Sequence, residues 1–600
     1  MCGIYGTTKR YDSDTIAKKM AITAYRGPDY TGVKDVGNII LGHNRLSIID
    51  LDPRSNQPFD YMHLSVVFNG EIYNFQDIRE TLKKDKFTFL TGSDTEVLCA
   101  AYIKYGKECI HHFNGMFAFV IYDAKKNILF GARDRLGQKP FYYTLKDKSF
   151  EFASQPSQIA LANYLSVDEE AISQYLMWKY IPDPRSIYSE VSKLEAGYRF
   201  TYELEARVFK KEQYWDISKT DIYNGSYHQA TQELESLIED AVAKRMIADV
   251  PIGVFLSGGV DSSIIAALAQ KNSSKKVSTF SIKFDKKGFD ESPYASQIAE
   301  ILGTNHTTIP CDYTEGLALI EKHNTYYDEP FSDSSAIPSM LLAKHTRKHV
   351  TVALSGDAGD ESFLGYSRYG WMNSVKPVYY FPQGIRKIAG AALGVLPSYK
   401  LKLIAEGIQQ KDMKALYKET MTSFSHHMLL NPMLGYSQKY ESFLTSDKNI
   451  LEQISDYDLK TYLNGDINTK VDRATMAYAL EARSPFLDYR IVEFGRALPT
   501  NFKFHKGNKK RILKDILYKH IPKEVMDRPK AGFAIPIAHW FRNELRELML
   551  DTLTQENLEM IPNLNIPYVL NQIERHLKSE VNFAPGIWSL IVLVNWLKKK

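Results

Sequence analysis

The sequence predicts an α/β protein of two domains, and three observations support that prediction. A chain of 600 residues is too long for a single hydrophobic core. Short apolar runs broken by Gly, Asn and Asp fill residues 1–200, which is typical of antiparallel strands and turns. From about Tyr227 onwards, strand-like runs alternate with helical patterns, as in the βαβ units of a parallel sheet.

The first third of the chain is predicted to form antiparallel sheets with helices packed on them. The strand candidates are rich in Ile, Val, Phe and Tyr, whereas the two helical candidates place apolar residues three and four apart. The strand candidates lie at residues 38–51, 64–74, 117–134 and 140–154, and the helical candidates at 14–25 and 94–106.

The patterning changes near residues 205–225, where a polar stretch separates the two halves. Residues 228–250 then show the spacing of an amphipathic helix. The strand-like runs that follow are PIGVFL, KVSTFSIKF and HVTVAL, and the chain beyond about residue 370 has mostly helical patterning. We therefore predict a first domain of residues 1–210 and a second domain of residues 211–600.

Charge and cysteine content narrow the function classes. A formal net charge of +4 is small for this length, so a nucleic-acid partner is not expected. The four cysteines form no CxxC pair, which fits a reducing cytoplasm. The N-terminus does not resemble a signal peptide, and the apolar run 587–597 is too short to span a bilayer. We therefore expect a buried helix there and no membrane partner.

The chain begins MCGIYG, which places a cysteine directly after the start methionine. Removal of Met1 would leave Cys2 with both a thiol and a free α-amine, and an amine that titrates near ~8 can accept the thiol proton. The nucleophile and its base would then belong to one residue. The alternative is that Cys2 is only a small buried residue.

The most specific motif is SGGVDSS (257–263), which follows a strand and precedes a helix. Glycines let backbone N–H groups approach an anion, and the helix N-terminus adds unpaired donors, so the loop suits phosphate. It lacks GKS or GKT and is therefore not a Walker loop. An acid in this cradle, Asp261, is explained if Mg²⁺ bridges it to phosphate oxygens. The alternative is a tight turn capped by serines.

A second loop, SGDAGDE (355–361), also follows a strand-like run. If the two strands are parallel neighbours, the acids Asp357, Asp360 and Glu361 lie at the same sheet edge as the first loop. Carboxylates there could share a metal with Asp261. Taken alone, an acidic loop of this kind is more often a solvated turn.

SGGVDSS resembles the loop in which ATP pyrophosphatases hold the leaving pyrophosphate while they adenylate a substrate. With MCGIYG, it makes the chain similar to the glutamine-hydrolysing asparagine synthetase family over nearly its whole length. That resemblance implies an αββα N-terminal-nucleophile hydrolase domain, a class II glutamine amidotransferase, followed by an α/β PP-loop ATP pyrophosphatase domain with helical additions. It also rests on RGPD, HNRLSIIDL, FNGEIYN, SDTE, GMFAF, ARDRLGQKP, SGDAGDE, TKVDRATMAYALEARSPFLD and RPKAGFAIP.

In this family the first domain hydrolyses glutamine to glutamate and ammonia, and the resemblance assigns the reacting groups. The Cys2 thiolate would attack the amide carbon of glutamine and form a thioester. The developing oxyanion needs fixed donors, which would be the Asn69 side chain and the Gly70 backbone N–H.

The resemblance also assigns the groups that hold glutamine. Arg45 would clamp the α-carboxylate, because a planar guanidinium matches a carboxylate. Glu71 and Asp94 would face the α-ammonium. Each of these residues alone would more often be a surface ion pair or a cap, and it is their combination with Cys2 that suggests a site. The pocket would be completed by Leu46, Ile48 and Ile49.

The second domain would bind ATP with Mg²⁺ and activate a carboxylate as its adenylate. The resemblance places Leu256, Ile282 and Gly356 around the adenine and ribose, with Asp360 as a second metal ligand. Lys510 would face the phosphates, although the run KGNKKRILK could equally be a solvated basic stretch. The phosphates and metal would be held by Ser257, Gly258, Gly259, Asp261, Ser262, Ser263 and Ser355.

The acceptor carboxylate is the least specified substrate. The resemblance implies aspartate, which would become aspartyl-AMP and then asparagine when ammonia displaces AMP. Two departures leave room for another acceptor: the position of Asp357 is often Glu, and no arginine lies near Pro338. The alternative acceptors are a diaminopimelate, a uronic acid or another cell-surface precursor. The candidate acceptor residues are Asp357, Glu361, Ser334 and Ser335, with Asp333 beside the two serines.

Other functions share part of this architecture. One half could be degenerate in a binding or regulatory subunit, but the key residues of both halves are intact. β-Lactam synthetase does not need the complete glutaminase site found here, and glutamine phosphoribosyl-amidotransferase shares only the first domain. We further expect an ammonia passage lined by apolar and small residues between the domains, with EARSPFLD near the interface, and a homodimer, as is common in this family.

Overall fold

The computed structural model describes residues 2–217, 221–284, 290–311, 313–395, 399–422, 449–526 and 536–600. The motif RPKAGFAIP therefore lies, except for Pro536, outside the described residues.

Two six-stranded antiparallel sheets form the first part of the chain. Their strands are β1 (Gly3–Thr7), β2 (Tyr30–Asp35), β3 (Ile40–Arg45), β4 (Phe59–Tyr61), β5 (Leu64–Ile72), β6 (Gly115–Asp123), β7 (Ile128–Arg133), β8 (Tyr142–Thr144), β9 (Glu151–Ala153), β10 (Ser192–Lys193), β11 (Tyr198–Glu203) and β12 (Val208–Gln213). The order is β10-β8-β9-β1-β3-β2 in one sheet and β12-β11-β7-β6-β5-β4 in the other.

Five helices accompany these sheets: α1 (Ser13–Ala21), α2 (Phe75–Lys84), α3 (Asp94–Tyr105), α4 (Pro156–Ala160) and α5 (Glu169–Trp178). The sheets pack face to face, since Ile4 and Phe152 of one share a buried cluster with Val120 and Phe200 of the other. Helices α2 and α3 cover the outer face of one sheet, and α1 and α4 cover that of the other. The αββα layering expected from the resemblance is confirmed.

The second part of the chain holds a five-stranded, fully parallel sheet in the order β15-β14-β13-β16-β17. The runs PIGVFL, KVSTFSIKF and HVTVAL form three of its strands, as predicted. The polar strand at one edge of this sheet and the three-residue strand at its other edge were not predicted from the sequence. The strands are β13 (Ile252–Phe255), β14 (Ser278–Lys283), β15 (Asn305–Pro310), β16 (Val352–Leu354) and β17 (Glu481–Arg483).

Helices surround this sheet and make up most of the described chain beyond residue 370. They are α6 (Tyr227–Arg245), α7 (Val260–Lys271), α8 (Ser292–Leu302), α9 (Tyr313–Tyr327), α10 (Ala336–Thr346), α11 (Gly359–Ser362), α12 (Ser367–Val375), α13 (Gln383–Gly394), α14 (Tyr399–Gln409), α15 (Met413–Met421), α16 (Ile450–Lys460), α17 (Thr469–Met476), α18 (Tyr489–Ala497), α19 (Thr500–Lys503), α20 (Arg511–Leu517), α21 (Lys523–Met526), α22 (Ile537–Trp540), α23 (Arg546–Thr552), α24 (Gln555–Leu558), α25 (Ile566–Leu577) and α26 (Ala584–Leu597).

The apolar run near the C-terminus lies within α26, and nearly every residue of this helix is buried. The Tyr175 hydroxyl of the first domain donates a 2.8 Å hydrogen bond to the Ser589 carbonyl of α26, so the helix is part of the protein core. Across the described ranges, no helix has the length and apolar character needed to cross a membrane.

The two halves meet across a buried polar interface. Arg26 donates to both carboxylate oxygens of Asp472 in α17, at 2.9 and 3.1 Å, and neither side chain reaches solvent to any extent. Asn114 donates to Asp488 at 2.8 Å. Because a buried charge is costly unless it is paired, these contacts fix one relative position of the two sheets.

Candidate active site

Cys2 lies immediately before β1 and is buried. Its backbone N–H donates to Asn69 Oδ1 at 3.0 Å, and its carbonyl accepts from Arg26 Nε at 3.1 Å. Burial raises the pKa of the Cys2 thiol. The thiolate therefore forms only if a nearby base takes the proton, which is the role predicted for the α-amine of the same residue.

Asn69 and Gly70 are consecutive residues of β5 beside the cysteine. The Asn69 side chain is fully buried, and its Nδ2 has no hydrogen-bond partner among the described residues. Such a donor is costly unless something accepts from it during function. A Cβ at Gly70 would overlap the Met116 carbonyl of β6, so only glycine allows this close strand pairing. The pair can present two fixed donors to an oxyanion.

A single cavity beside Cys2 collects the predicted glutamine-binding residues. All of the predicted glutaminase residues line this cavity except Asn69, whose side-chain oxygen accepts from the Cys2 backbone N–H. Six further lining residues were given no role from the sequence, although four of them lie within the motifs FNGEIYN, SDTE and EARSPFLD. The predicted lining residues are Cys2, Arg45, Leu46, Ile48, Ile49, Gly70, Glu71 and Asp94, and the additional ones are Ser55, Gln57, Phe68, Ser93, Thr95 and Glu481.

The charged groups of this cavity are held in fixed positions. Asp94, the first residue of α3, accepts from the Ile72 N–H at 2.9 Å, and burial raises its pKa to about 6. Burial and the nearby Asp94 also raise the pKa of Glu71. The Arg45 guanidinium donates to Asn56 Oδ1 at 2.8 Å and to the Asp50 carbonyl at 2.5 Å.

The edge strand β17 brings residues of the second domain to the glutaminase cavity. Glu481 lines the cavity, and Arg483 forms ion pairs with Glu481 at 2.6 Å and with Glu71 at 3.0 Å. The Arg483 carbonyl accepts from the Ser355 N–H at 2.9 Å. One residue therefore joins the glutamine cavity to the loop that follows β16.

The SGGVDSS loop connects β13 to α7 as predicted. Gly258 has φ +75°, a conformation that favours glycine, and the loop closes through Ser257 Oγ and Ser262 Oγ, which lie 3.0 Å apart. Leu256 and Ile282 are buried at the carboxyl ends of β13 and β14. The loop thus exposes backbone donors at the carboxyl edge of the sheet, where α/β folds bind phosphate.

The SGDAGDE loop lies directly against it, because β16 is the parallel neighbour of β13 and pairs Leu354 with Val254. A Cβ at Gly356 would lie 2.8 Å from the Ser262 nitrogen, and one at Gly359 would lie 2.6 Å from Asp261 Cγ. Glycine at both positions lets the two loops touch. The sheet brings together the two motifs, as expected from parallel neighbours.

Lys510 joins the two loops electrostatically. Its Nζ pairs with Asp261 and, at 2.6 Å, with Asp360, and its side chain is buried rather than solvated. The described residues contain no cluster of three or more potential metal ligands. Two converging carboxylates nevertheless fit Mg²⁺, which is usually bound by one or two carboxylates together with substrate phosphates. Asp261 and Asp360 are the residues that would hold it.

The candidate acceptor residues fall into three places. Asp357 accepts from Ser355 Oγ at 2.7 Å, and burial raises its pKa. Glu361 is buried, where Tyr366 donates to it at 2.6 Å, and burial raises its pKa to about 7.

The serines of the acceptor set precede α10. Ser335 Oγ donates to Asp333 at 2.8 Å, and Lys470 of α17 pairs with the same aspartate at 2.6 Å. No described contact joins Ser334 or Ser335 directly to Asp357. Lys470 belongs to the motif TKVDRATMAYALEARSPFLD but was given no role from the sequence. Besides pairing with Asp333, it lowers the pKa of Asp357 against the effect of burial.

A second cavity lies between the domains, with a volume of about 20 Å³. It begins at Met116, whose carbonyl adjoins Gly70, and reaches Asp357. EARSPFLD borders it as expected, but polar side chains are more frequent in its wall than the predicted apolar and small lining. The wall consists of Met116, Gln138, Lys139, Ser355, Asp357, Asn468, Val471, Asp472, Ala482, Ser484 and Leu487.

This geometry defines a class of protein: an αββα glutamine amidotransferase domain joined through a buried interface to a parallel α/β domain with a phosphate-binding loop. The family model for asparagine synthase matches residues 233–598, and that for the glutamine amidotransferase domain matches residues 1–215. The chain therefore belongs to the asparagine synthase family.

Individual relatives agree with that assignment. Asparagine synthetase [glutamine-hydrolyzing] 1 of Bacillus subtilis is 32% identical over 99% of this chain and 96% of its own length. Asparagine synthetase [glutamine-hydrolyzing] 3 of the same organism is 28% identical over 89% of this chain and 87% of its own length. Amidase chry2 of Gibberella zeae is 25% identical, over 91% of this chain and 88% of its own length.

Proposed function

We propose that the protein is a glutamine-dependent asparagine synthetase, which converts aspartate, glutamine, water and ATP into asparagine, glutamate, AMP and pyrophosphate. The observation that supports this most strongly is the interdomain cavity, which leads from the neighbourhood of Gly70 to Asp357. A glutaminase alone needs no cavity toward a phosphate-binding loop. A synthetase that uses free ammonia needs no glutamine pocket.

Glutamine hydrolysis begins at Cys2. After removal of Met1, the α-amine takes the thiol proton and the sulfur attacks the amide carbon of glutamine. Asn69 Nδ2 and the Gly70 N–H stabilise the oxyanion. The ammonium of Cys2 returns its proton to the leaving ammonia, and water then hydrolyses the thioester to glutamate. Arg45 binds the α-carboxylate of glutamine, while Asp94 and Glu71 attract its α-ammonium.

Carboxylate activation takes place at the two loops of the second domain. The backbone donors of residues 257–259 and the N-terminus of α7 hold the β- and γ-phosphates as the carboxylate oxygen attacks the α-phosphorus. Lys510 stabilises the charge that develops there. Asp261 and Asp360 would hold Mg²⁺, which would supply positive charge beside the leaving pyrophosphate. Ammonia from the cavity attacks the acyl carbon, and AMP leaves.

A second candidate differs only in the acceptor. Position 338 is a buried proline of α10. It therefore supplies no guanidinium that could pair with a second carboxylate of aspartate. Lys470 and Asp333 form a charge pair beside the loop instead. These groups also suit a carboxylate that carries an amine or hydroxyls, such as a diaminopimelate, a uronic acid or another cell-surface precursor.

The decisive experiment measures AMP release with ATP, Mg²⁺ and glutamine against a panel of carboxylates, with wild type and Cys2→Ala in parallel. For the proposed function, aspartate supports AMP and asparagine formation, and Cys2→Ala retains both only when ammonium is added. If another carboxylate alone supports AMP formation, the second candidate is correct. Glutaminase activity without AMP formation from any acceptor, together with no ATP binding, would contradict both.

The remaining assignments extend this proposal. The predicted boundary between residues 210 and 211 would cut β12, which pairs with β11 through Gln213, so we propose that the first domain extends through β12 and that the boundary lies between Gln213 and α6. We also propose that the enzyme works in the cytoplasm, where glutamine and ATP are available, and that it forms a homodimer. Sedimentation velocity of the purified full chain tests the last point.

A further inference from the structure

Helix α13 carries a continuous apolar stripe on its outer face. Phe381 just before the helix, Ile385 and Ile388 within it, and Val395 just after it are 59%, 55%, 74% and 84% exposed. Their spacing of three and seven residues places Ile385, Ile388 and Val395 on one side of the helix, and Phe381 precedes the helix by two residues. We refer to these four side chains as the α13 stripe. Isolated exposed apolar residues are normal, but an aligned set is typical of an interaction surface.

The opposite face of α13 explains why the stripe points outward. Arg386 is buried and donates to the carbonyls of Ile408 and Gln410, both at 2.7 Å. A Cβ at Gly390 would lie 2.5 Å from the Gln409 side chain. The helix therefore uses its arginine and its glycine to pack on α14 and leaves its apolar side to solvent. This is the reverse of an ordinary surface helix.

The same region concentrates positive charge. Residues 367–422 contain nine Lys and Arg against three Asp and Glu, whereas the whole chain has a net charge of only +4. Lys376, Lys387, Lys411 and Lys414 form no ion pair with any residue that the structure describes. An exposed apolar helix face within a lysine-rich segment is typical of a helix that lies in the headgroup region of an anionic bilayer.

We propose that the α13 stripe docks the protein on an anionic membrane surface, with Phe381, Ile385, Ile388 and Val395 in the headgroup layer and the lysines on lipid phosphates. A second copy of this chain fits less well, because a symmetric pairing would bring two strongly positive regions together. Docking of this kind needs no membrane-spanning segment. The proposal replaces the expectation, made from the sequence, that the protein has no membrane partner.

Vesicle sedimentation tests the proposal with the purified full chain. We would compare vesicles of phosphatidylcholine with vesicles that contain about one third phosphatidylglycerol. The stripe variant is Ile385→Ser with Ile388→Ser, and the control is Leu90→Ser, whose side chain is more exposed than either isoleucine and lies in the first domain. A charge variant, Lys387→Glu with Lys411→Glu, provides an independent test if the stripe variant does not fold. Glutaminase activity and ammonia-dependent AMP formation report folding of the two domains in all four proteins.

We expect binding to the anionic vesicles that weakens with added salt, and about a tenfold or greater loss of the partition coefficient in the stripe variant. The Leu90→Ser protein should bind like wild type, and the charge variant should lose binding. Equal sedimentation of wild type and the folded variants, or none with either vesicle, would overturn the proposal. A wild-type dimer that the stripe variant converts to monomer, without vesicle binding, would also overturn it and would assign the stripe to self-association.

Discussion

At the scale of single residues, Asp94 links pH to glutamine binding. Burial raises its pKa to about 6, so its carboxylate loses its charge as the pH falls through that value. The neutral acid no longer attracts the α-ammonium of glutamine. We therefore expect the KM for glutamine to rise below about pH 6 and to be constant above about pH 7. Steady-state glutaminase assays across this range measure it.

The Asp94→Asn variant serves as the control for that prediction. It should have a high KM at every pH, because its side chain does not titrate. A wild-type KM that stays constant through pH 6 would assign the α-ammonium to one of the other carboxylates of the cavity, Glu71 or Glu481.

Lys510 and its neighbour Lys509 offer a matched comparison in the second site. Lys510→Met removes the cation that pairs with Asp261 and Asp360, so AMP formation should fall by about a hundredfold or more while glutaminase activity persists. Lys509, whose Nζ lies 3.1 Å from Ser367 Oγ, points elsewhere, and Lys509→Met should retain activity. Equal losses in both variants would indicate general destabilisation. Initial rates of AMP release distinguish these outcomes.

At the scale of secondary-structure elements, the pairing of β5 with β6 depends on Gly70. A Cβ there would overlap the Met116 carbonyl and lie 2.7 Å from Phe117 Cα. We expect Gly70→Ala to cost about 1–3 kcal/mol of stability and to displace the oxyanion donors. Glutaminase activity should be lost, whereas ammonia-dependent synthesis should remain.

Thermal unfolding and the two activity assays test that prediction together. Gly384→Ala is the control, because no atom lies within 4 Å of its added Cβ. An unchanged glutaminase rate in Gly70→Ala would mean that the oxyanion is stabilised elsewhere.

Sequence reasoning succeeded for elements whose chemistry is local. The SGGVDSS loop contains its own glycines and serines, and the strands before both loops are apolar runs, so their parallel arrangement was predictable. It failed for β17, since three residues carry too little pattern to predict a strand. The entry of Glu481 into the cavity of the other domain depends on tertiary packing, which no local spacing encodes. Lys470 was missed for the same reason.

At the scale of the whole molecule, the Arg26–Asp472 pair should determine how firmly the domains hold together. Lys139 lies 3.4 Å from the same carboxylate. Burial alone would raise the pKa of Asp472. The nearby Arg26 and Lys139 instead hold this pKa well below its usual range. Its contribution to stability is therefore present above about pH 4 and is lost as the pH falls further.

Removal of this charge should be costly, because two buried cations lose their partner. We expect Asp472→Asn to reduce the free energy of unfolding by about 3–5 kcal/mol and to lower the ratio of amide product to glutamate. Urea titration and product analysis measure the two effects. Glu574→Gln, which breaks the solvent-exposed pair with Lys578, should leave the free energy of unfolding almost unchanged. A similar cost for both variants would show that the interface pair adds little.

The contact of Arg483 with both Glu71 and the loop after β16 has a consequence for the evolution of the two domains. A substitution of Arg483 should affect both reaction centres, because its guanidinium pairs with Glu71 in one domain and its backbone carbonyl accepts from Ser355 in the other. The halves are therefore poor candidates for exchange between homologous enzymes as independent modules. A chimaera that joins the first half of one homologue to the second half of another should work only where both parents carry the same buried charges at the junction.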